Sequence, residues 1–165
     1  LDLYVSLATL IDDGEAMALA IAKRLVDDLG LIRQVQFDSA GTHAGGNQKP
    51  DPRGVAALVR KGYRPLPIRS RRVVAKDFEV FDVILAMDLV NLEYLQKTCP
   101  LEHAHKLRLV LGGEANLVDA PGQLSTEVPD PYYGPAAGFD HVLALCERGM
   151  TSWIQRAGSI DPSAR

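Results

Sequence analysis

Apolar and polar positions along this chain fall into two alternating kinds of run. The first is apolar, Tyr4-Val5-Ser6-Leu7-Ala8-Thr9-Leu10-Ile11, and it gives way to an acidic turn, Asp12-Asp13-Gly14-Glu15. From Ala16 the pattern is helical: Met17, Ile21, Leu25 and Leu29 recur every four residues, with Ala18 and Ala22 beside them. Strand, turn and amphipathic helix in that order predict the first half of a βαβ unit. Gly30 reads as the helix stop. Val35-Gln36-Phe37 reads as a second short strand, ending in the small-residue turn Asp38-Ser39-Ala40-Gly41-Thr42. A polar loop leads to Pro52, which opens a helix through Val55, Leu58 and Val59 that stops near Gly62. Residues 81–87 predict a third strand. Its run Val83-Ile84-Leu85-Ala86-Met87 is continuously apolar, as a strand covered on both faces should be. Asp88 suits the N-cap of a helix through Val90, Leu92 and Leu95. Residues 107–111 predict a fourth strand. Residues 112–129 read as a long polar loop with little regular pattern. Phe139, Val142, Leu143, Cys146, Met150 and Trp153 mark one face of a last helix.

This alternation predicts an α/β fold: a four-stranded parallel sheet with helices on both faces. Residues 1–158 read as a single domain and 159–165 as a disordered tail. Composition narrows the classes. The 165 residues suit one domain with a proper core, and 47% apolar with 24% charged residues is ordinary for a soluble protein. A net charge of −3 gives no general reason to expect nucleic acid or an anionic membrane as partner. Cys99 and Cys146 have no metal spacing and make no disulfide framework, so a reducing cytoplasm is expected. No run reaches membrane-spanning length and no signal peptide is visible. His43, His103, His105 and His141 share no spacing that suggests a metal site, and no cofactor is expected. The oligomeric state is not legible.

In open α/β sheets the ligand sits at the carboxyl end of a strand, against the N-terminus of the next helix. Chemistry is therefore sought between Ser6 and Gly14. The acids there have a plain role, since Asp12 or Asp13 would cap the helix and suit its dipole. Arg64, Arg69, Arg71 and Arg72 fall within nine residues. Such a run serves as a solvated face or as a grip for anions.

Four stretches, in order and at matching spacings, resemble the low-molecular-weight protein tyrosine phosphatases. They are Asp38-Ser39-Ala40-Gly41-Thr42; Asp51-Pro52-Arg53; Asp77-Phe78 with Phe81-Asp82-Val83-Ile84-Leu85-Ala86-Met87-Asp88 and Asn91; and Asp130-Pro131-Tyr132-Tyr133-Gly134. The resemblance implies a flavodoxin-like three-layer sandwich. It implies hydrolysis of phosphotyrosine or aryl phosphate monoesters through a phosphocysteine intermediate. Asp130 would be the general acid, Tyr132 and Tyr133 would flank the substrate, and Ser39 would hydrogen-bond the phosphate loop or shape its own turn.

The family's phosphate loop begins with a nucleophilic Cys, runs through five residues that include Gly and Asn, and closes with Arg-Ser. Aligned without gaps, Ser6 holds the Cys position, Asp12 the Arg position and Asp13 the following Ser. Leu7, Ala8, Thr9, Leu10 and Ile11 fill the loop between, with no glycine. A serine hydroxyl does not ionise as a thiol does beside a helix terminus. A carboxylate repels the phosphoryl group that guanidinium would clamp; at ~4 Å and an effective dielectric of ~20 that interaction is ~4 kcal/mol. Without glycine the segment is poorly suited to an anion nest and would extend the strand or the helix. The expected protein is thus a family member with a disabled loop, acting on a phosphotyrosine protein or a small aryl phosphate only if active. One alternative is a partner-binding pseudophosphatase. Another is a signalling module resembling a response-regulator receiver, with Asp12 and Asp13 holding Mg²⁺; that reading also needs a fifth strand.

Overall fold

The structure is a computed structural model. It describes residues 3–9, 12–33, 35–42, 47–112, 118–120, 123–124 and 126–158, with side chains for 16–33, 35–42, 47–112 and 126–157. The elements in chain order are β1 (Leu3–Thr9), α1 (Asp12–Asp28), β2 (Val35–Gly41), α2 (Pro52–Arg60), α3 (Ala75–Val80), β3 (Val83–Ala86) and α4 (Leu89–Thr98). A 3₁₀ segment (Leu101–Lys106), β4 (Leu107–Leu109), β5 (Val118–Ala120), β6 (Gln123–Leu124) and α5 (Ala137–Gly158) complete them. The first four strands form one parallel sheet in the order β2-β1-β3-β4. This is the four-stranded parallel sheet that the pattern predicted and the flavodoxin-like fold that the resemblance implied.

Side chains of β3 alternate between two cores. Leu85 joins α1, α2 and α5 on one face; Ile84 and Ala86 join Phe78, Phe81, Leu95 and Leu107 on the other. That alternation explains the unbroken apolar run, because both faces of the strand are covered. On the first face, every residue from 16 to 22 of α1 is buried. Its alanines let the helix lie close against α5 and the sheet. Asp51 caps α2, accepting from the Arg53 N–H, and Pro52 takes the first helical position. Gly30 and Gly62 follow α1 and α2 with φ of 70° and 80°, the left-handed conformation that favours glycine. Among the described residues no helix is long and apolar enough to cross a membrane.

Several sequence expectations need correction. Strand β1 ends at Thr9 and α1 already begins at Asp12, so Asp12 and Asp13 stand inside the first turn rather than at its cap. Carboxylates there still suit the helix dipole. Leu29 lies beyond the helix and is exposed, as are Val59 and Val90. The stretch 38–41 is strand rather than turn: β2 continues because its whole length pairs with β1. Strand β3 is shorter than 81–87, and β4 ends at Leu109. Helix α3, one and a half turns long, has no periodic signature of its own; Asp77 holds its start by accepting from the Val74 N–H. Strands β5 and β6 pair as an antiparallel hairpin inside the expected polar loop. Residues 10, 11 and the 159–165 tail lie outside the described residues.

Candidate active site

The chain order reverses between β1 and β3, since β2 lies on one side of β1 and β3 on the other. A crevice opens beyond the carboxyl ends of strands at such a switch point. Here those ends are Thr9 and Ala86, and the helices that start there are α1 and α4.

The late acid loop is fastened to this point. The Val128 N–H donates to the Met87 carbonyl at 2.8 Å, just past β3. Glu127 Oε1 accepts from the Leu89 N–H at 2.8 Å, and Asp88 Oδ1 accepts from the Asn91 N–H at 2.6 Å. Asp88, Glu127 and Asp130 therefore gather at the start of α4. Burial pushes the Asp88 carboxyl above its ordinary value; the charges of Glu127 and Asp130 add to the shift, and the N–H groups of Asn91 and Val90 oppose it. Asn91 is fully buried, and its Oδ1 and Nδ2 find no hydrogen-bond partner among the described residues. An unmet buried amide costs about 1–3 kcal/mol.

Asp130 is exposed, and its Oδ1 accepts from the Tyr132 N–H at 3.0 Å. Tyr132 is half-exposed and Tyr133 almost wholly so, with their rings edge to face at 4.9 Å. Arg53 holds the turn from below. Its Nε and Nη2 donate to the two Asp51 oxygens at 3.0 and 2.7 Å. Nη2 also donates to the Tyr132 carbonyl at 3.0 Å, and Nη1 to the Gly134 carbonyl at 3.3 Å. The guanidinium lies over the Phe139 ring at 4.7 Å and near the Tyr132 ring at 5.7 Å. The Asp51 carboxyl is held below its ordinary value, chiefly by its hydrogen bond with the Arg53 side chain.

The other expected site residues divide. Ser39 is buried on β2, its N–H donating to Asp38 Oδ1 at 2.8 Å, and it pairs across from Leu7. Ser6 pairs with Asp38 on one side and Ile84 on the other, so its backbone stands in mid-strand. Leu7, Ala8 and Thr9 continue β1 to its end, while Leu10 and Ile11 lie outside the described residues. Asp12 and Asp13 open α1. Of the arginine run, Arg71 is only partly exposed and is already paired with two carboxylates. It bridges Asp38 at 2.6 Å and Asp77 at 2.9 Å, locking the connector and α3 to β2. Burial opposes its charge, but its hydrogen bonds to Asp77 and Asp38 prevail and hold its pKa above the ordinary value. Arg53 was missed as a site residue, although it stands in one of the stretches that carry the resemblance. The signal was an Arg two residues after the Asp that precedes a helix-opening Pro, a spacing that suits a fork folding back on that carboxylate.

A parallel four-stranded sheet with a tethered Asp-Pro-Tyr-Tyr turn at its switch point defines a phosphatase-like scaffold. The family described as low molecular weight phosphotyrosine protein phosphatase matches residues 15–160. The low molecular weight protein-tyrosine-phosphatase of Streptomyces coelicolor is 37% identical over 142 residues, covering 84% of this chain and 82% of its own length. The human low molecular weight phosphotyrosine protein phosphatase is 33% identical over 143 residues, 86% of each chain. The crystal structure of a Vibrio cholerae low molecular weight phosphotyrosine phosphatase superposes with a TM-score of 0.83 at 30% identity, covering 95% of this chain and 97% of that one. The chain belongs to the low-molecular-weight phosphotyrosine protein phosphatase family. The family match begins at Glu15, so residues 1–14 lie outside it.

Proposed function

We propose that this protein is a phosphotyrosine phosphatase scaffold that keeps the leaving-group side of the site and lacks the phosphate-cradling side. The family reaction needs a cysteine thiolate to attack phosphorus and an arginine fork to hold the phosphoryl oxygens. One observation carries the reading and does not depend on how the loop is aligned. The first cysteine in the chain is Cys99 and the first arginine is Arg24, so neither group occurs anywhere between the start of β1 and the middle of α1. The two cysteines present are no substitutes. Burial pushes the Cys146 thiol up to about 12 and raises that of Cys99, which stands at the far end of α4. Only two residues separate β1 from α1, too few for a cradle of the family's length. The Asn91 amide, unmet among the described residues, fits a site whose polar partners on this side are incomplete.

On the retained side, Asp130 would protonate a departing phenolate and Tyr132 and Tyr133 would flank its ring. A phosphotyrosine protein or a small aryl phosphate is the substrate class only if the protein is active. The receiver alternative loses its footing, because the parallel sheet has four strands and the chain belongs to another family.

The test is hydrolysis of p-nitrophenyl phosphate by the parent and by the Ser6→Cys/Asp12→Arg variant, each with and without Mg²⁺. The parent is expected to give no turnover above background. The variant is expected to recover part of it, limited by the strand conformation of residues 7–9. Metal-independent turnover by the parent would refute the reading. Turnover by the parent only with Mg²⁺ would transfer the chemistry to the acidic residues.

A further inference from the structure

We propose that Arg53 is the positioning residue for the acid turn, fixing the peptide that orients the Asp130 carboxylate. This rests on the reading of Asp130 as proton donor given above. The Tyr132 peptide is pinned at both ends: Arg53 Nη2 donates to its carbonyl at 3.0 Å, and its N–H donates to Asp130 Oδ1 at 3.0 Å. The Tyr132 N–H thus holds one carboxylate oxygen of Asp130 in place. The pin is itself immobilised, because Asp51 takes two donors of the guanidinium and caps α2 with the Arg53 N–H. Nη1 reaches the Gly134 carbonyl, so one planar group spans the turn from 132 to 134. Phe139, at the start of α5, forms the floor. These contacts join the start of α2, the acid turn and the start of α5.

Lysine cannot reproduce this arrangement. A point charge with no planar fork cannot hold Asp51 and two carbonyls at once. The Arg53 side chain is 38% exposed and the fork lies outside both hydrophobic cores. Loss of the fork should therefore act locally.

The experiment measures amide exchange by NMR in the full chain, in Arg53→Lys and in Arg53→Met. Exchange at the Tyr132 amide is expected to quicken about tenfold or more in both variants, the scale of a lost charge-assisted hydrogen bond, with buried amides of α5 unchanged. Parent-like exchange in Arg53→Lys, no change in either variant, or equal acceleration through α5 would each overturn the proposal. A second arm places Arg53→Lys in the Ser6→Cys/Asp12→Arg background. A misplaced proton donor should slow hydrolysis of phenyl phosphate about tenfold more than that of p-nitrophenyl phosphate, whose leaving group needs no proton. An equal fall for both substrates overturns the catalytic part. Absence of turnover in that background before Arg53 is changed refutes the function reading instead, and the exchange result still decides the pin.

Discussion

Two carboxylates near the mouth of the site are shifted in opposite directions, for reasons that belong to single residues. Asp51 meets a guanidinium fork, so its folded pKa is depressed. It contributes stability above its ordinary value of 3.8, and that contribution is lost as pH falls through the folded value. Asp88 is partly buried with Glu127 and Asp130 nearby, so its folded pKa is raised. Its proton is held more tightly in the folded chain, and stability is lost as pH rises from 3.8 through the folded value. Asparagine caps helices about as well as aspartate and carries no charge. Asp88→Asn should therefore raise the thermal midpoint at pH 7 relative to the parent, and the gain should shrink towards pH 3. A gain that is equal at both pH values, measured by thermal unfolding, would refute the burial argument.

At the scale of elements, the sandwich depends on close approach as much as on apolar area. Gly149 sits where α5 meets the end of β4, and a Cβ there would stand 2.9 Å from the Val110 carbonyl oxygen. The same carbonyl accepts from Trp153 Nε1 at 2.9 Å, so the backbone is held on both sides and cannot yield easily. Gly149→Ala should destabilise by about 1–3 kcal/mol, the usual cost of overpacking. Gly134→Ala is the matched control, because its Cβ would meet only the Pro131 carbonyl oxygen at 3.5 Å. Urea titration of both variants checks the contrast, and a Gly149→Ala midpoint equal to that of the control would contradict it.

On the scale of the whole molecule, the two cores share one sheet and should melt together. Helix α5 packs on α1 and α2, so the end of the chain closes the core that its beginning opens. Cys146 lies fully buried in that core, its thiol pushed up to about 12 by burial, whereas Cys99 is half-buried at the end of α4. A thiol reagent should label Cys99 in the folded protein and Cys146 only on global unfolding. Labelling of Cys146, Trp153 fluorescence and far-ultraviolet dichroism should share one urea midpoint. Separate midpoints would show that residues 1–158 do not behave as one cooperative unit.

The sequence by itself determined the layers. Period and apolar run length report burial directly, so the four parallel strands, the long first and last helices, the start of α2 at Pro52 and the cap at Asp88 were all readable. It also determined what β1 and the first half of α1 lack, since neither segment contains a cysteine or an arginine. Tertiary structure alone decided where β1 and β2 end, because pairing carries a strand through residues whose local preference is turn. It set the partners of Arg53 and Arg71, which lie up to 81 residues away in the chain. It also paired β5 with β6 in a stretch that has no pattern of its own. A charged side chain meets its partner through the fold, and spacing along the chain cannot report that meeting.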